Sequence, residues 1–361
     1  GARSDHWIAH HPAARPSSRQ HRLTTQKDPT LRPRLLVLSS VLALSVAACG
    51  SVEDAGPSTT GAETGATEAA DSASGPITLT DARRKEITLD APATEVVGLE
   101  WGVIENLVSL GVMPVGVADV EGYTTWVSAA PLDEGVTDVG LRGEPSIDSL
   151  VALDPDLVIS TTDLPENIIQ QIEELVPVLV VRPAAAERPI DQMKDNIRLV
   201  AQAVGKEAEA DALVERVDDA IAEGAEAISA AGLEGQRFTL ADAWMDGNNV
   251  SVRAFTAGSL MGAVGEEMGL INAWELEGDP NYGLAITDVE GLTALGDVIF
   301  TYYTNAAEDD AIAALEGNAI WEGLPFVQDG NVHRLPDGIW MFGGPLSVEQ
   351  FVSAMVDTLT D

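Results

Sequence analysis

The sequence predicts an α/β protein made of two α/β lobes with mostly parallel sheets, joined by one long helix. Three observations predict it. Short apolar, strand-like runs alternate with helical ones both before and after the middle of the chain, the pattern of parallel strands covered by helices. The two sets are separated by helical sequence with no strand signal, a segment near 190–205 and a second from 207 to 230. The chain of 361 residues, 45% apolar and 22% charged, is long enough for two lobes that each bury a core.

The elements follow in order. Residues 1–30 carry four of the five histidines, and no methionine precedes Met113, so this stretch is read as an over-extended start. Arg32 and Arg34 then precede an apolar run from Leu35 to Ala48. A charged segment, a short apolar run and small residues before a cut read as a secretory signal. Its 14 apolar-run residues are fewer than the ~20 needed to span a bilayer. Cys49, directly after Val46-Ala47-Ala48, resembles the lipidated cysteine of a bacterial lipobox, which implies an anchor on the mature N-terminus. The other reading is an ordinary signal peptide with an incidental cysteine. Gly, Ser, Thr, Ala and Glu dominate 50–75, a flexible tether. The expected division is thus 1–48 as extension and signal, 49–75 as lipidated Cys and tether, 76–188 as first lobe, 189–206 as linker helix and 207–361 as second lobe.

Within the first lobe, 77–79 and 86–89 alternate around Asp81-Ala-Arg-Arg as a hairpin. Strands at 96–99, 114–118, 157–161 and 178–181 then alternate with helices at 102–110, 146–153 and 165–175. The linker helix places Met193, Ile197, Val200, Ala201 and Val204 on one face. The second lobe reads as strands at 238–241, 250–252, 298–302 and 332–335, with helices at 258–268, 288–295, 309–315 and 347–359.

Composition then removes several functions. There are 58 acidic residues against 20 basic, which excludes nucleic acid as the default partner. Without residues 1–48 the ratio is 56 to 13, near −43. A single cysteine rules out a disulfide framework or a Cys-based metal site. One histidine, His333, remains after processing, and a direct zinc or manganese carrier needs a cluster of His and carboxylates. No phosphate loop, GxSxG or HExxH occurs. No catalytic residue, resident metal or cofactor is therefore expected.

The aromatics point elsewhere. Trp126, Trp274, Tyr282 and Trp340 stand beside Gly, Pro, Asn and Thr instead of inside apolar runs, and aromatics on such loops suit the lining of a cleft. Arg142 and Arg253 are the arginines in loop-like sequence after strands. One arginine among aromatic walls suits a neutral or cationic complex better than a triply anionic one.

Several stretches resemble the ferric hydroxamate-binding proteins, within the iron–siderophore class of ABC-importer binding proteins. They are Leu110-Gly-Val-Met-Pro-Val-Gly-Val-Ala-Asp119, Tyr123-Thr-Thr-Trp126, Val139-Gly-Leu-Arg142-Gly-Glu-Pro145-Ser-Ile-Asp148, Leu153-Asp-Pro-Asp-Leu-Val158, Gly269-Leu-Ile-Asn-Ala-Trp274 and Gly338-Ile-Trp340-Met-Phe-Gly-Gly-Pro-Leu-Ser347. The resemblance runs from about residue 77 to 360. It implies the class III periplasmic-binding-protein fold, with small closure about a rigid linker helix. It implies capture of a ferric siderophore, iron entering only as part of that complex, and delivery to an ABC importer permease by a monomer anchored outside the cytoplasmic membrane.

Residue by residue, Arg142 matches the arginine that holds the hydroxamate oxygens. Trp126, Trp274 and Trp340 match cleft aromatics, and Tyr282 falls where the family tends to have tryptophan. The family's first-lobe tyrosine is missing from Ser160-Thr-Thr-Asp-Leu-Pro165, with Tyr123 and Thr162 as candidate replacements. Asp148 and Glu290 match the acidic positions, one per lobe, that face the permease. Cobalamin and haem carriers share the fold and remain the alternative ligand classes; a carboxylate-based hydrolase is the alternative of a different class.

Overall fold

The structure is a computed structural model that describes residues 75–305 and 310–360. Cys49, the signal-like run and the tether to Ser74 lie outside the described residues.

The expected hairpin is present. β1 (Ile77–Thr80) pairs antiparallel with β2 (Glu86–Leu89), Ile77 opposite Leu89. The Asp81 carboxylate holds the turn by accepting the N–H groups of Arg83 (2.8 Å) and Lys85 (3.0 Å), an Asx-type closure. The first half continues with β3 (Val96–Gly98), α1 (Trp101–Ser109), β4 (Gly116–Val117), α2 (Val120–Trp126), β5 (Thr137–Asp138), β6 (Gly140–Leu141), β7 (Glu144–Pro145), α3 (Ile147–Val151), β8 (Leu157–Thr161), α4 (Glu166–Glu173) and β9 (Val178–Val181). Five strands form a parallel sheet in the order β5-β4-β3-β8-β9. β3, β8 and β9 are buried along their whole length, which is why they read as apolar runs instead of alternating ones. β6 and β7 form a separate small hairpin that turns on Arg142-Gly143.

α5 (Pro189–Val204) and α6 (Glu207–Ala230) connect the halves. Proline opens α5, where a missing N–H costs nothing, and Gly205 ends it at φ 67°, the left-handed C-cap that glycine adopts without strain. Met193, Ile197, Val200, Ala201 and Val204 are buried, the stripe anticipated from the sequence.

The second half holds β10 (Arg237–Asp246), β11 (Asn249–Phe255), α7 (Leu260–Glu267), β12 (Ile271–Asn272), β13 (Leu284–Asp288), β14 (Ile299–Tyr302), α8 (Ala319–Glu322), α9 (Pro325–Gln328), β15 (Val332–Arg334) and α10 (Pro345–Thr360). The sheet runs β13-β11-β10-β14-β15, with β12 also beside β10. It is mixed where the sequence suggested parallel pairing: β11 is antiparallel to both β10 and β13. The cause is local. Only Gly247-Asn248 separate β10 from β11, and so short a link permits only an antiparallel hairpin.

The helix expected over 288–295 is instead the end of β13 and a 3₁₀ turn, Gly291–Ala294. Asp288 accepts the Gly291 N–H at 3.0 Å and so offers the backbone a turn in place of a helix. Of the helix expected over 309–315, residue 309 lies outside the described residues and Ala313–Leu315 is a 3₁₀ turn.

Candidate functional site

Loops at the carboxyl ends of parallel strands are where open α/β sheets take ligands. Glu100 follows β3, Asp119 follows β4 and Asp163 follows β8 in the first half; Tyr303 follows β14, and Trp340 and Phe342 follow β15 in the second. The loop after β15 reaches back onto the first half, so Trp340 packs in one core cluster with Trp101, Ile104, Val117, Tyr123 and Val127.

Arg142 stands at the centre. Its Nη1 donates to Glu100 Oε1 at 3.0 Å, and both side chains are largely sheltered, 11% and 16% exposed. The guanidinium lies over the Trp101 ring, 3.8 Å from its centroid, and 5.7 Å from that of Trp340. Glu100 also caps α1 by accepting the Trp101 N–H at 2.9 Å. One carboxylate thereby fixes both the arginine and the indole beneath it, a charge-assisted bond combined with cation–π stacking. The indole nitrogens of Trp101 and Trp340 are buried without a hydrogen-bond partner among the described residues.

Aromatic rings wall the cluster. Trp340 meets Trp101 edge-on at 4.8 Å and Phe342 at 5.0 Å. Trp126, the last residue of α2, meets Tyr303 at 6.2 Å and Trp340 at 6.4 Å across the two halves. Tyr282 stands edge-on to Phe342 at 5.6 Å, and its hydroxyl donates to the Asp163 carboxylate of the opposite half. Burial raises the Tyr282 pKa well above the ordinary tyrosine value, reinforced by the negative charges of Asp163 and Glu100. The Asp163 carboxyl is also pushed up, first by its loss of solvation and then by Glu100 and Asp279, against the opposing effects of the Tyr282 bond and Arg142.

The structure therefore brings Arg142, Trp126, Tyr282 and Trp340 together. Arg253 lies one layer deeper. It is inside strand β11 and not in a loop, paired with Asp242 directly across the β10–β11 ladder, and Tyr303 Oη donates to the same carboxylate at 3.2 Å. Its guanidinium is 5.5 Å from the Phe342 ring centroid, so it supports the aromatic wall from behind. Trp274 is packed as core among Ala241, Val252, Leu292 and Phe300, with its indole N–H donating to the Leu240 carbonyl at 3.0 Å. Its turn-like neighbours in sequence misled the reading of it as a cleft aromatic. Tyr123 is likewise buried, donating to the Ala130 carbonyl at 2.7 Å, and so does not replace the missing first-lobe tyrosine; Thr162 is exposed. Asp148, in the first turn of α3, and Glu290, before the 3₁₀ turn, are exposed on different halves.

Sequence reasoning missed Glu100, Trp101, Asp163 and Phe342. The signal for Glu100 was legible, a carboxylate directly after the apolar run 96–99, where a parallel strand ends. A second junction was not. Glu105 of α1 is fully buried and accepts the N–H (2.9 Å) and hydroxyl (2.7 Å) of Ser347 in the first turn of α10. That is a carboxylate at the positive end of a helix. Burial nevertheless raises its pKa, against those hydrogen bonds.

Two α/β halves meeting at strand ends, joined through a helical connection and sharing an arginine–aromatic cluster, define a two-lobed solute-receptor architecture. The chain belongs to the periplasmic binding protein family, whose profile matches residues 96–338. It is homologous to the iron(3+)-hydroxamate-binding protein FhuD of Escherichia coli, 27% identical over 261 residues that cover 72% of this chain and 85% of that protein. The fold is that of the siderophore-binding protein FhuD of Vibrio cholerae with Fe3+–Desferal bound, at TM-score 0.64 and 23% identity over 74% of this chain and 98% of the other. It is also that of the triscatecholate siderophore-binding protein FeuA of Bacillus subtilis with ferri-bacillibactin, at TM-score 0.61 and 19% identity over 79% and 98%. The two solved neighbours thus carry different ligands, Fe3+–Desferal and ferri-bacillibactin, on one fold.

Proposed function

We propose that this protein captures a ferric siderophore, most specifically a ferric hydroxamate, outside the cytoplasmic membrane and hands it to an ABC importer permease. The observation that carries the reading is Arg142, held by Glu100 against the Trp101 ring at the junction of the two halves. A fixed guanidinium donates to the oxygens of a metal chelate, and the surrounding rings cover its apolar arms. A triply charged catecholate complex would need several cations here; the charged groups acting on Asp163 are Arg142 and two further carboxylates, Glu100 and Asp279, instead. Iron arrives within its chelate as cargo, no resident cofactor takes part, and no chemical step is assigned to the protein. The lipobox-like Cys49 would hold the body near the membrane, since one lipid and a tether anchor without spanning, and Asp148 and Glu290 would meet the permease.

The test is a tryptophan-fluorescence titration with ferrioxamine B, ferrichrome, ferric enterobactin and cobalamin. Saturable quenching by the hydroxamates is the expected result. Binding of enterobactin or cobalamin with no response to either hydroxamate would overturn the ligand class.

A further inference from the structure

The carboxylates around Arg142 are not equivalent. Glu100 is engaged by the Arg142 guanidinium and the Trp101 N–H. Asp279 is engaged by the backbone N–H groups of Asn281, Tyr282 and Leu284 at 2.9–3.0 Å. Asp163 is different: its carboxylate accepts the Tyr282 hydroxyl from the opposite half. It sits on an exposed loop after β8, and its charged neighbours are Glu100, Asp279 and Arg142. That surrounding is net negative, because one arginine faces three carboxylates.

A ligand that parts the two halves must break the Tyr282–Asp163 bond, since its two groups come from opposite sides of the junction. Asp163 then loses the Tyr282 donor, while Arg142 is engaged by Glu100 at 3.0 Å and, on the proposed reading, by the chelate oxygens. The iron-bound oxygens of a chelate carry no proton to donate, whereas an ammonium does, and the negative surroundings favour the ammonium over water. We propose that Asp163 is a specificity-determining residue that selects ferric complexes carrying a primary ammonium group, the ammonium replacing the Tyr282 hydroxyl on its carboxylate. This rests on the ferric hydroxamate reading and extends it from the chelate to the appendage beyond the iron.

Two probes isolate the charge: ferrioxamine B, which ends in an ammonium, and its N-acetylated derivative, which is neutral and carries the same iron centre. With the purified full chain at low ionic strength, ferrioxamine B should bind about fivefold tighter, the scale of one partly screened ion pair. The preference should shrink in about 0.5 M salt as the pair is screened. Asp163→Asn should bring the two affinities to within about twofold by weakening ferrioxamine B alone. Tyr282→Phe, which frees the carboxylate, should retain the preference. Equal affinities in the wild type, or a preference that survives Asp163→Asn, would overturn the proposal while leaving the hydroxamate reading intact. Binding of ferrichrome with neither ferrioxamine bound would overturn this proposal alone; if no ferric hydroxamate binds and another ferric chelate does, the hydroxamate reading itself fails, and this proposal with it.

Discussion

Replacing Arg142 with alanine perturbs the site at the residue on which the proposed function rests. In the free protein the change leaves Glu100, only 16% exposed, with the Trp101 N–H but without the cation that balances its charge, and it uncovers the Trp101 face. Loss of one partner of a sheltered charged hydrogen bond costs about 1–3 kcal/mol, so the melting temperature should fall by a few degrees while the fold persists. The larger effect is on the ligand. Truncating one partner of a desolvated charged contact costs about 2–5 kcal/mol, which at about 1.4 kcal/mol per decade is roughly thirtyfold or more in affinity. Arg142→Lys should recover only part of this, because an ammonium keeps the charge but loses the planar fork that stands over the Trp101 ring. Fluorescence titration with ferrichrome reads the affinities, and far-UV circular dichroism confirms that each variant is folded. Affinity unchanged in a folded Arg142→Ala variant would refute the assignment and leave Arg142 a structural partner of Glu100.

Three further outcomes are expected. Trp126→Phe should diminish ligand quenching of tryptophan fluorescence, whereas Trp274→Phe, in the second-half core, should leave the fractional quench nearly unchanged; equal losses would place Trp274 in the site. The double change Asp148→Ala with Glu290→Ala should preserve siderophore affinity in the purified protein while cellular uptake of labelled ferric siderophore falls severely, since rim charges act on docking; normal uptake would assign docking to other carboxylates. Glu105 is held protonated to higher pH in the folded than in the unfolded chain, so its contribution is fullest below the ordinary glutamate pKa and declines as pH rises towards its folded value. Glu105→Gln should flatten that decline in thermal melts taken across the mildly acidic range, and Glu105→Ala should cost about 2 kcal/mol or more at any pH by stripping the first turn of α10 of its acceptor. A pH dependence identical in wild type and Glu105→Gln would contradict the assignment.

The sequence by itself determined what depends on near neighbours. The β1–β2 hairpin, the buried strands 157–161 and 178–181, the apolar face of α5 and the span of α6 all lay in local periodicity, because a strand buried on both faces or a helix buried on one must be apolar in a set rhythm. Arg142 was legible for a similar reason: Leu-Arg-Gly-Glu in a turn leaves the arginine at a loop tip. The tertiary structure alone decided which loops meet. Trp340 reaches Trp101, Asp163 reaches Tyr282 and Glu105 reaches Ser347 across sequence separations of more than one hundred residues, and no local pattern encodes such a pairing. The fates of Trp274 and Arg253 were decided at shorter range, by how the strands pair. Both stand in sequence that looks like loop, yet each found a buried partner, the Leu240 carbonyl and the Asp242 carboxylate. A large polar-tipped side chain can be interred only where the folded chain brings a partner to its tip, here the facing strand of the β10–β11 hairpin for Arg253 and a β10 carbonyl for Trp274.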